Sequence, residues 1–473
     1  MIPRIAATPF APPVRPRDGV PRPVSQAVLE ATLPGPGRDR LAAGEVLVVT
    51  TGQQPGLFTG PLYTVYKALS AIALAARLER ERRVPVVPVF WVAGDDHDFH
   101  EANSAVVLNG AGDPTRIVLR ERPADAPATP LSREPCGPEV LTALDQLRGV
   151  TPESEFKGEV LSWLQAAYQP DTHLADACAA ALQALLGGYG LAVLRPYATA
   201  VKREMTPWLV RALELTLPDG LSPVLLEGSL GRDRLRGEDG AFVTRRGGER
   251  FVRADLEKIA AETPDRLSPN VLLRPVVEAA LLPTVAYLAG PGELRYLAET
   301  GPLYRALGVT PQTPVPRWSG LLIEARVARV SDKHHLDTSD FDGPPGALEA
   351  RVVREQLPAE VNAALEALRR EVRTSYDRLA AGVAQLDPTL ERTVESARNA
   401  ALASSQDIEK KLVAALKRGN ETIVNQLSRA RASLYPGGVP QERALTYASM
   451  AIRYGPPLLA ALQDEVARWA VAS

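Results

Sequence analysis

Hydrophobic and polar positions follow two rhythms along this chain. Glu45-Val-Leu-Val-Val-Thr50 is a short apolar run rich in β-branched residues, the pattern of a buried strand. A glycine- and proline-rich loop follows, Thr51-Gly-Gln-Gln-Pro-Gly-Leu-Phe-Thr-Gly-Pro61. From Leu62 to about Arg82 the spacing becomes helical, with Leu62, Val65, Tyr66, Leu69, Ile72 and Leu78 on one side. Pro85–Ala93 is the next apolar run. Strand, helix and strand in such quick succession make a βαβ unit, and these units build parallel sheets covered on both faces.

Further strands are expected at Leu191–Leu194 and Val224–Leu226, and a polar hairpin over Phe242–Phe251 turning at Gly247-Gly248. Pro283–Ala289 is an apolar run leading into Gly290-Pro-Gly-Glu-Leu-Arg-Tyr296. Residues 1 to 40 read as an irregular, Pro-rich lead segment, and residues 100–180 as a loop-rich inserted subdomain. Beyond Leu348 the rhythm is helical alone. Leu357, Val361, Leu365, Leu368, Val372, Tyr376, Leu379, Val383 and Leu386 recur about every 3.6 residues. A second stripe runs from Leu390 to Leu434 after Asp387-Pro388. The pattern predicts an antiparallel helical hairpin with arms of about 45–60 Å. Its narrow core leaves apolar surface for a homodimer to cover, unless the hairpin packs back on its own sheet.

Composition narrows the function classes. The 473 residues are 45% apolar and 23% charged with a formal net charge of -2, so neither a strongly basic nucleic-acid binder nor a disordered chain is indicated. Apolar stretches are too short or too broken by Glu278, Pro283 and Pro291 to span a bilayer. The proline-punctuated N-terminus has no continuous apolar core of a secretory signal. Cys136 and Cys178 are too few for a disulfide framework and wrongly spaced for a zinc ribbon. A cytoplasmic location is expected.

Three clusters could carry chemistry. In open α/β sheets ligands bind beyond the carboxyl ends of strands. There, Thr51, Gln53 and Gln54 supply hydroxyl and amide groups, while Gly52 and Gly56 let backbone approach a ligand. The loop matches neither GxGxxG nor a P-loop, and a plain strand-to-helix turn would also use these residues. Gly94-Asp-Asp-His-Asp-Phe-His-Glu101, after the second strand, crowds four carboxylates and two imidazoles together. Such crowding raises carboxylate pKa values unless a cation or donors face it. Asp95, Asp96, His97 and Asp98 are therefore candidates to bind an ammonium or hydroxyl group, or to act as base. A capped acidic turn is the plain alternative. A metal reading would use His97 and His100, but spacing supplies no third ligand, and no tightly bound metal is expected. The third cluster gathers Asn270, Arg274, Gly290, Gly292, Glu293, Tyr296, Arg317 and Ser319. Arg274, flanked by apolar residues and proline, should be paired internally or with an anion.

TTGQQPGLFTGPLYTVYKALSAI, VPVFWVAGDDHDFHEAN, SPNVLLRPVVEAALLPTVAYLAGPGELRY, TPVPRWSGLLIE and LYPGGVPQER, in this order around a long hairpin, resemble the bacillithiol biosynthesis cysteine-adding enzyme family. The resemblance implies an α/β fold: a Rossmann-like nucleotidyltransferase core of class I aminoacyl-tRNA-synthetase type, connecting subdomains and a long antiparallel coiled coil. The core would occupy 1–345, with subdomains at about 100–180 and 230–265. The hairpin would occupy 346–435, and a segment over 436–473 would return to the core. The implied reaction joins the carboxyl group of L-cysteine to the amine of glucosaminyl-malate. Carboxylates do not acylate amines unactivated, so ATP with Mg²⁺ is the expected co-substrate. On this resemblance Thr51-Gly-Gln-Gln54 takes the place of the HIGH signature, and Gly52, Gln53, Gln54 and Gly56 would face nucleotide. The acidic turn would face the amino sugar, and Arg274 the malate carboxylates. A second nucleotide pocket could adjoin Tyr435, Gln441 and Arg443. Alternatives are a ligase for another amine, a non-catalytic nucleotide-binding coiled-coil protein and a metal-dependent hydrolase.

Overall fold

The apolar runs that open and close the first two-thirds of the chain assemble into one parallel sheet. The computed structural model describes residues 2–123 and 125–472. Its central strands are β1 (Leu47–Gln53), β2 (Val86–Val92), β3 (Ala192–Leu194), β4 (Thr284–Ala289) and β5 (Thr313–Pro316). They lie in the order 3-2-1-4-5, and every neighbouring pair is parallel. Register is set along β1, where Val49 faces Pro88 and Thr51 faces Phe90 on one side while Thr50 faces Tyr287 on the other. The order reverses between β1 and β4. At such a switch point, the loops that follow the two strands part and leave a crevice.

Helix α1 (Leu62–Arg82) connects β1 to β2, and nearly all of its first four turns are buried, including Leu62, Val65, Tyr66 and Leu69. It packs against the sheet and against the C-terminal helix Tyr447–Ala472. Burial on almost every side explains its mixed apolar and small-residue sequence, since a helix inside a domain needs no polar face.

The lead segment differs from its irregular reading. Arg4–Ala7 is a strand paired antiparallel with Gly320–Ile323, and helices Gln26–Ala31 and Pro36–Ala42 follow. A four-residue strand whose partner lies more than 300 residues away leaves no local periodic signal. The 100–180 region likewise holds more regular structure than its loop-rich reading. It forms the hairpin Ser104–Leu108 with Pro114–Val118, then helices Glu139–Val150, Lys157–Ala167 and Leu174–Leu186, which share one apolar core with α1.

Between β3 and β4 lies α2 (Thr199–Ala212), then a second, antiparallel sheet. Its strands are Leu221–Gly228, Gly231–Glu238, Ala241–Thr244 and Arg250–Val252, with Leu267–Pro269 on the opposite edge. Gly231 has φ +77°, and a Cβ there would lie 2.5 Å from the Ala128 backbone, so only glycine fits where this sheet meets the 100–180 region.

The chain forms two compact units, one running to Ile323 and resuming at Gln441, the other Glu324–Pro440. The second unit is helical. Its long helices Ala359–Ala384 and Glu391–Gly419 run antiparallel, with Arg369 paired to Glu409 and Arg398 Nη1 3.1 Å from Asp377 Oδ1. Leu365 and Val394 on these helices are buried, whereas Leu368, Leu379, Leu386 and Ile408 stay exposed. Among the described residues, no helix is long and apolar enough to cross a membrane.

Candidate active site

A cleft of about 520 Å³ opens at the carboxyl edge of the parallel sheet. The end of β1 with its following loop supplies Gly52, Gln53 and Gln54, the loop after β2 Gly94, Asp95 and Asp96, and the turn and helix start after β4 Gly290, Gly292 and Glu293. Close strand approach demands glycine here: a Cβ on Gly52 would lie 2.8 Å from the Trp91 carbonyl oxygen, and one on Gly94 would enter the Tyr197 ring.

A buried ammonium joins the two sides of the switch point. Lys67, in the second turn of α1, is 1% exposed. Its Nζ donates to the Gly52 carbonyl at 2.5 Å and to Gln53 Oε1 at 3.1 Å, and lies 2.6 Å from Glu293 Oε2. Glu293 belongs to α3 (Pro291–Leu297), after β4, and also accepts from Gly290 N at 2.8 Å and Tyr287 Oη at 2.7 Å. Burial alone would raise the Glu293 carboxyl, but the Lys67 ammonium and these donors hold it below the usual carboxylate range. The network continues inward. Arg274 Nη2 donates to Tyr287 Oη at 3.2 Å and Nη1 to Glu278 Oε2 at 2.8 Å. The fully buried Glu278 then accepts from Thr50 Oγ1 at 2.5 Å and Gln312 Nε2 at 3.3 Å.

A second buried ammonium sits behind the acidic turn. Lys202 of α2, 1% exposed, places Nζ 2.8 Å from Asp95 Oδ2 and donates to the Leu267 carbonyl at 2.8 Å. Asp96 Oδ1 accepts from the His97 backbone N at 2.7 Å, and Asp98 Oδ1 accepts from Glu101 N at 3.0 Å, capping the short helix Phe99–Ala102. Arg232 crosses from the antiparallel sheet. Its Nε donates to Ser268 Oγ at 2.8 Å and its Nη2 to the Pro269 carbonyl at 2.9 Å, while Nη1 lies 3.5 Å from His97 Nδ1. Burial and this guanidinium hold the His97 imidazole below the ordinary histidine range, so it is neutral at pH 7. Arg232 has no carboxylate partner among the described residues.

On the far wall, Arg317 makes a two-pronged pair with Glu442, at 2.8 and 2.6 Å, and Ser319 Oγ donates to the same carboxylate at 3.0 Å. The guanidinium carbons of Arg317 and Arg443 lie 5.6 and 5.8 Å from the centre of the Tyr63 ring. Tyr63 Oη accepts from Gln53 Nε2 at 3.0 Å, and burial, then the Glu101 charge, pushes the phenol up to about 12.

The cleft thus gathers Gly52, Gln53, Gln54, Asp95, Asp96 and Asn270 with Arg274, Gly290, Gly292, Glu293, Tyr296, Arg317 and Arg443. Several other residues named from sequence lie outside its lining. Thr51 Oγ1 is buried against the Leu288 carbonyl at 3.0 Å, and the Gly56 carbonyl accepts from Tyr168 Oη. His97 and Asp98 flank the cleft, and Ser319 supports Glu442. Gln441 bonds both backbone groups of Leu322, and Tyr435 ends the helix Glu421–Leu434 of the second unit. Sequence reasoning missed Tyr63, Lys67, Lys202 and Arg232, and counted Glu101 in the acidic cluster without giving it a role. Lysines are scarce, 8 among 54 basic residues, and Lys67 and Lys202 interrupt otherwise apolar helix faces, which is the signal that could have found them. Among the described residues, no group of three His, Cys, Asp or Glu side chains is placed to hold a metal ion.

Two outcomes follow from this electrostatic arrangement. Lys67→Met leaves Glu293 without its cation, and a urea titration should find a loss of roughly 3–5 kcal/mol. A loss below about 1 kcal/mol, the scale of an exposed pair, would show that the ammonium does not hold these loops. His97 binds its proton less readily folded than unfolded, so its contribution to stability is present above the unfolded pKa of about 6.5 and is lost as pH falls through it. The drop in Tm between about pH 7.5 and 5.5 should accordingly be smaller in His97→Gln than in the parent. Equal drops would contradict the neutral imidazole.

The family model described as Bacillithiol biosynthesis BshC, N-terminal Rossmann-like domain, matches residues 38–217 and 225–318. That for the C-terminal coiled-coil domain of the same family matches 320–468. Proteins named "Putative cysteine ligase BshC" from Salinibacter ruber and Symbiobacterium thermophilum are 34% and 32% identical to this chain. The alignments cover 87% and 90% of this chain and 79% and 83% of theirs. A solved structure of Mycobacterium tuberculosis methionyl-tRNA synthetase in complex with methionyl-adenylate aligns over 90% of this chain and 93% of its own, at 12% identity and a TM-score of 0.26. With both of its domains matched, the chain belongs to the bacillithiol biosynthesis BshC family, a Rossmann-like domain followed by a coiled coil.

Proposed function

We propose that this protein is an amide-forming ligase that joins the carboxyl group of L-cysteine to the amine of glucosaminyl-malate, using ATP with Mg²⁺, to make bacillithiol. The names of its relatives support the cysteine ligase reading. The observation that carries it is the composition of the cleft: an acidic turn on the loop after β2 and a guanidinium without a carboxylate partner, Arg232, beside it. An amino sugar joined to a dicarboxylic acid presents that pair of charges.

A carboxylate resists attack by an amine because its leaving group would be oxide, so it is first converted by ATP to a mixed acyl–phosphate anhydride. The amine must then lose its proton to attack. Asp95, Asp96, His97 and Asp98 surround the place proposed for that nitrogen. Asp95 is held by Lys202, so it offers a fixed negative edge. His97 flanks this edge, its imidazole held below the ordinary histidine range by burial and Arg232. Gly52 and Gln53, held by Lys67, and Gln54, which donates to the Asp98 carbonyl, are proposed to face the nucleotide or the carboxyl being activated. The thiol product fits a reducing cytoplasm, as do the free, buried Cys136 and Cys178.

Mass spectrometry of the protein incubated with L-cysteine, glucosaminyl-malate and ATP-Mg²⁺ tests the proposal. Bacillithiol should form in the complete mixture and not without ATP. Asp96→Asn should abolish product with thermal unfolding nearly unchanged. Absence of product from folded parent protein, or equal product without ATP, would overturn the reading.

We also propose that two copies pair through the helical hairpin, supported by the exposed Leu368, Leu379, Leu386 and Ile408 along it. Sedimentation should give a dimer for the parent and a monomer for Leu368→Glu/Leu379→Glu. A monomeric parent would exclude the pairing.

A further inference from the structure

The four carboxylates of the acidic turn are not equivalent. Asp95 is spent on the buried Lys202 ammonium. Asp96 Oδ1 closes its own turn on the His97 backbone N–H, and Asp98 caps the helix that follows. Glu101 is different: it lines the cleft, and among the described residues its carboxylate has no hydrogen bond and no ion pair. Its side chain is exposed, so the carboxylate is solvated and open to a ligand entering the cleft.

The opposite wall carries an independent vacancy of the other sign. Arg317 is 3% exposed and gives both terminal nitrogens to Glu442, yet its Nε is buried with no hydrogen-bond partner among the described residues. A Cβ at Gly290 would lie 3.7 Å from that Nε, so the N–H lies beside the spot that the missing side chain leaves open in the cleft. Tyr63 joins the two groups, since its ring lies 5.6 Å from the Arg317 guanidinium carbon and the Glu101 charge acts on its phenol. A lone acceptor and a buried lone donor lining one cleft fit the two reacting parts of an amide synthesis, an amine and an acyl oxygen.

Resting on the ligase reading above, we propose that Glu101 is the base that takes the proton from the acceptor ammonium. The ammonium proton passes to a Glu101 oxygen, and the nitrogen lone pair attacks the activated cysteinyl carbon. The C–N bond forms, and the bond from that carbon to the phosphate oxygen breaks. The second nitrogen proton leaves with the departing phosphate. Burial, then Asp98 and Asp96 on its own turn, raises the Glu101 carboxyl, with Arg443 opposing from across the cleft, and a raised carboxyl is a better base near neutral pH.

Hydroxylamine separates this role from any other. It is deprotonated at neutral pH, so it captures an activated acyl group without needing a base. Full-length parent, Glu101→Gln and Glu101→Asp are assayed with L-cysteine and ATP-Mg²⁺, once with glucosaminyl-malate and once with hydroxylamine. Glu101→Gln should lose roughly 100-fold or more of the glucosaminyl-malate product rate while keeping hydroxamate formation within about threefold, and Glu101→Asp should recover part of the loss. Unchanged product from Glu101→Gln overturns the assignment and leaves the ligase reading intact. Equal loss with both acceptors assigns Glu101 to activation or to structure and also overturns it. A parent that makes hydroxamate but no product overturns the acceptor reading, and the assignment with it.

Discussion

The Lys67 ammonium, buried at the switch point of the sheet, is the interaction on which the candidate site depends. Three oxygens from two separate loops meet on it: the Gly52 carbonyl, the Gln53 amide and the Glu293 carboxylate. Without a cation there, the loops after β1 and β4 would present acceptors to one another across the crevice. A buried charge costs several kcal/mol unless fully paired, so the arrangement holds in one geometry and penalises departures from it. Lys202 does the same for the next loop along, fixing Asp95. Two ammonium groups on helices thus position three strand-end loops.

That design explains why so much of the cleft's charge is already spent. Lys67 with Glu293, Arg274 with Glu278 and Arg317 with Glu442 neutralise one another in pairs within the walls. What stays available is small and distributed: an acidic edge on the turn after β2, and cations that among the described residues lack carboxylate partners at Arg232 and Arg443. Rigid walls with few free groups suit a reaction in which two small polar molecules must be held close while water is kept from an activated acyl group.

Much of the fold was legible in the sequence, for identifiable reasons. β1, α1 and β2 declare themselves because strands buried on both faces must be β-branched runs and the helix between them must be apolar over most of its surface. The hairpin helices declare themselves through the stripe from Leu357 to Leu386. The Arg4–Ala7 strand did not, because its partner Gly320–Ile323 is brought to it only by the finished fold. The site was legible at the level of loops: the cleft gathers residues from the TGQQ, GDDHDFHE and GPGE segments. It was not legible at the level of roles. Which aspartate is tied up and which carboxylate is free depends on Lys202, more than 100 residues from the turn it holds. Arg443, read beside a separate pocket, reaches the main cleft because its segment returns to the first unit.

The central claim is that one cleft at the switch point binds the amino sugar through these three loops. Hydrogen–deuterium exchange of the full-length protein with and without saturating glucosaminyl-malate tests it most directly. Slowed exchange should concentrate in the backbone of 52–54, 94–101 and 290–296. Binding that leaves those segments unchanged, or protects only residues outside the cleft, would contradict the account.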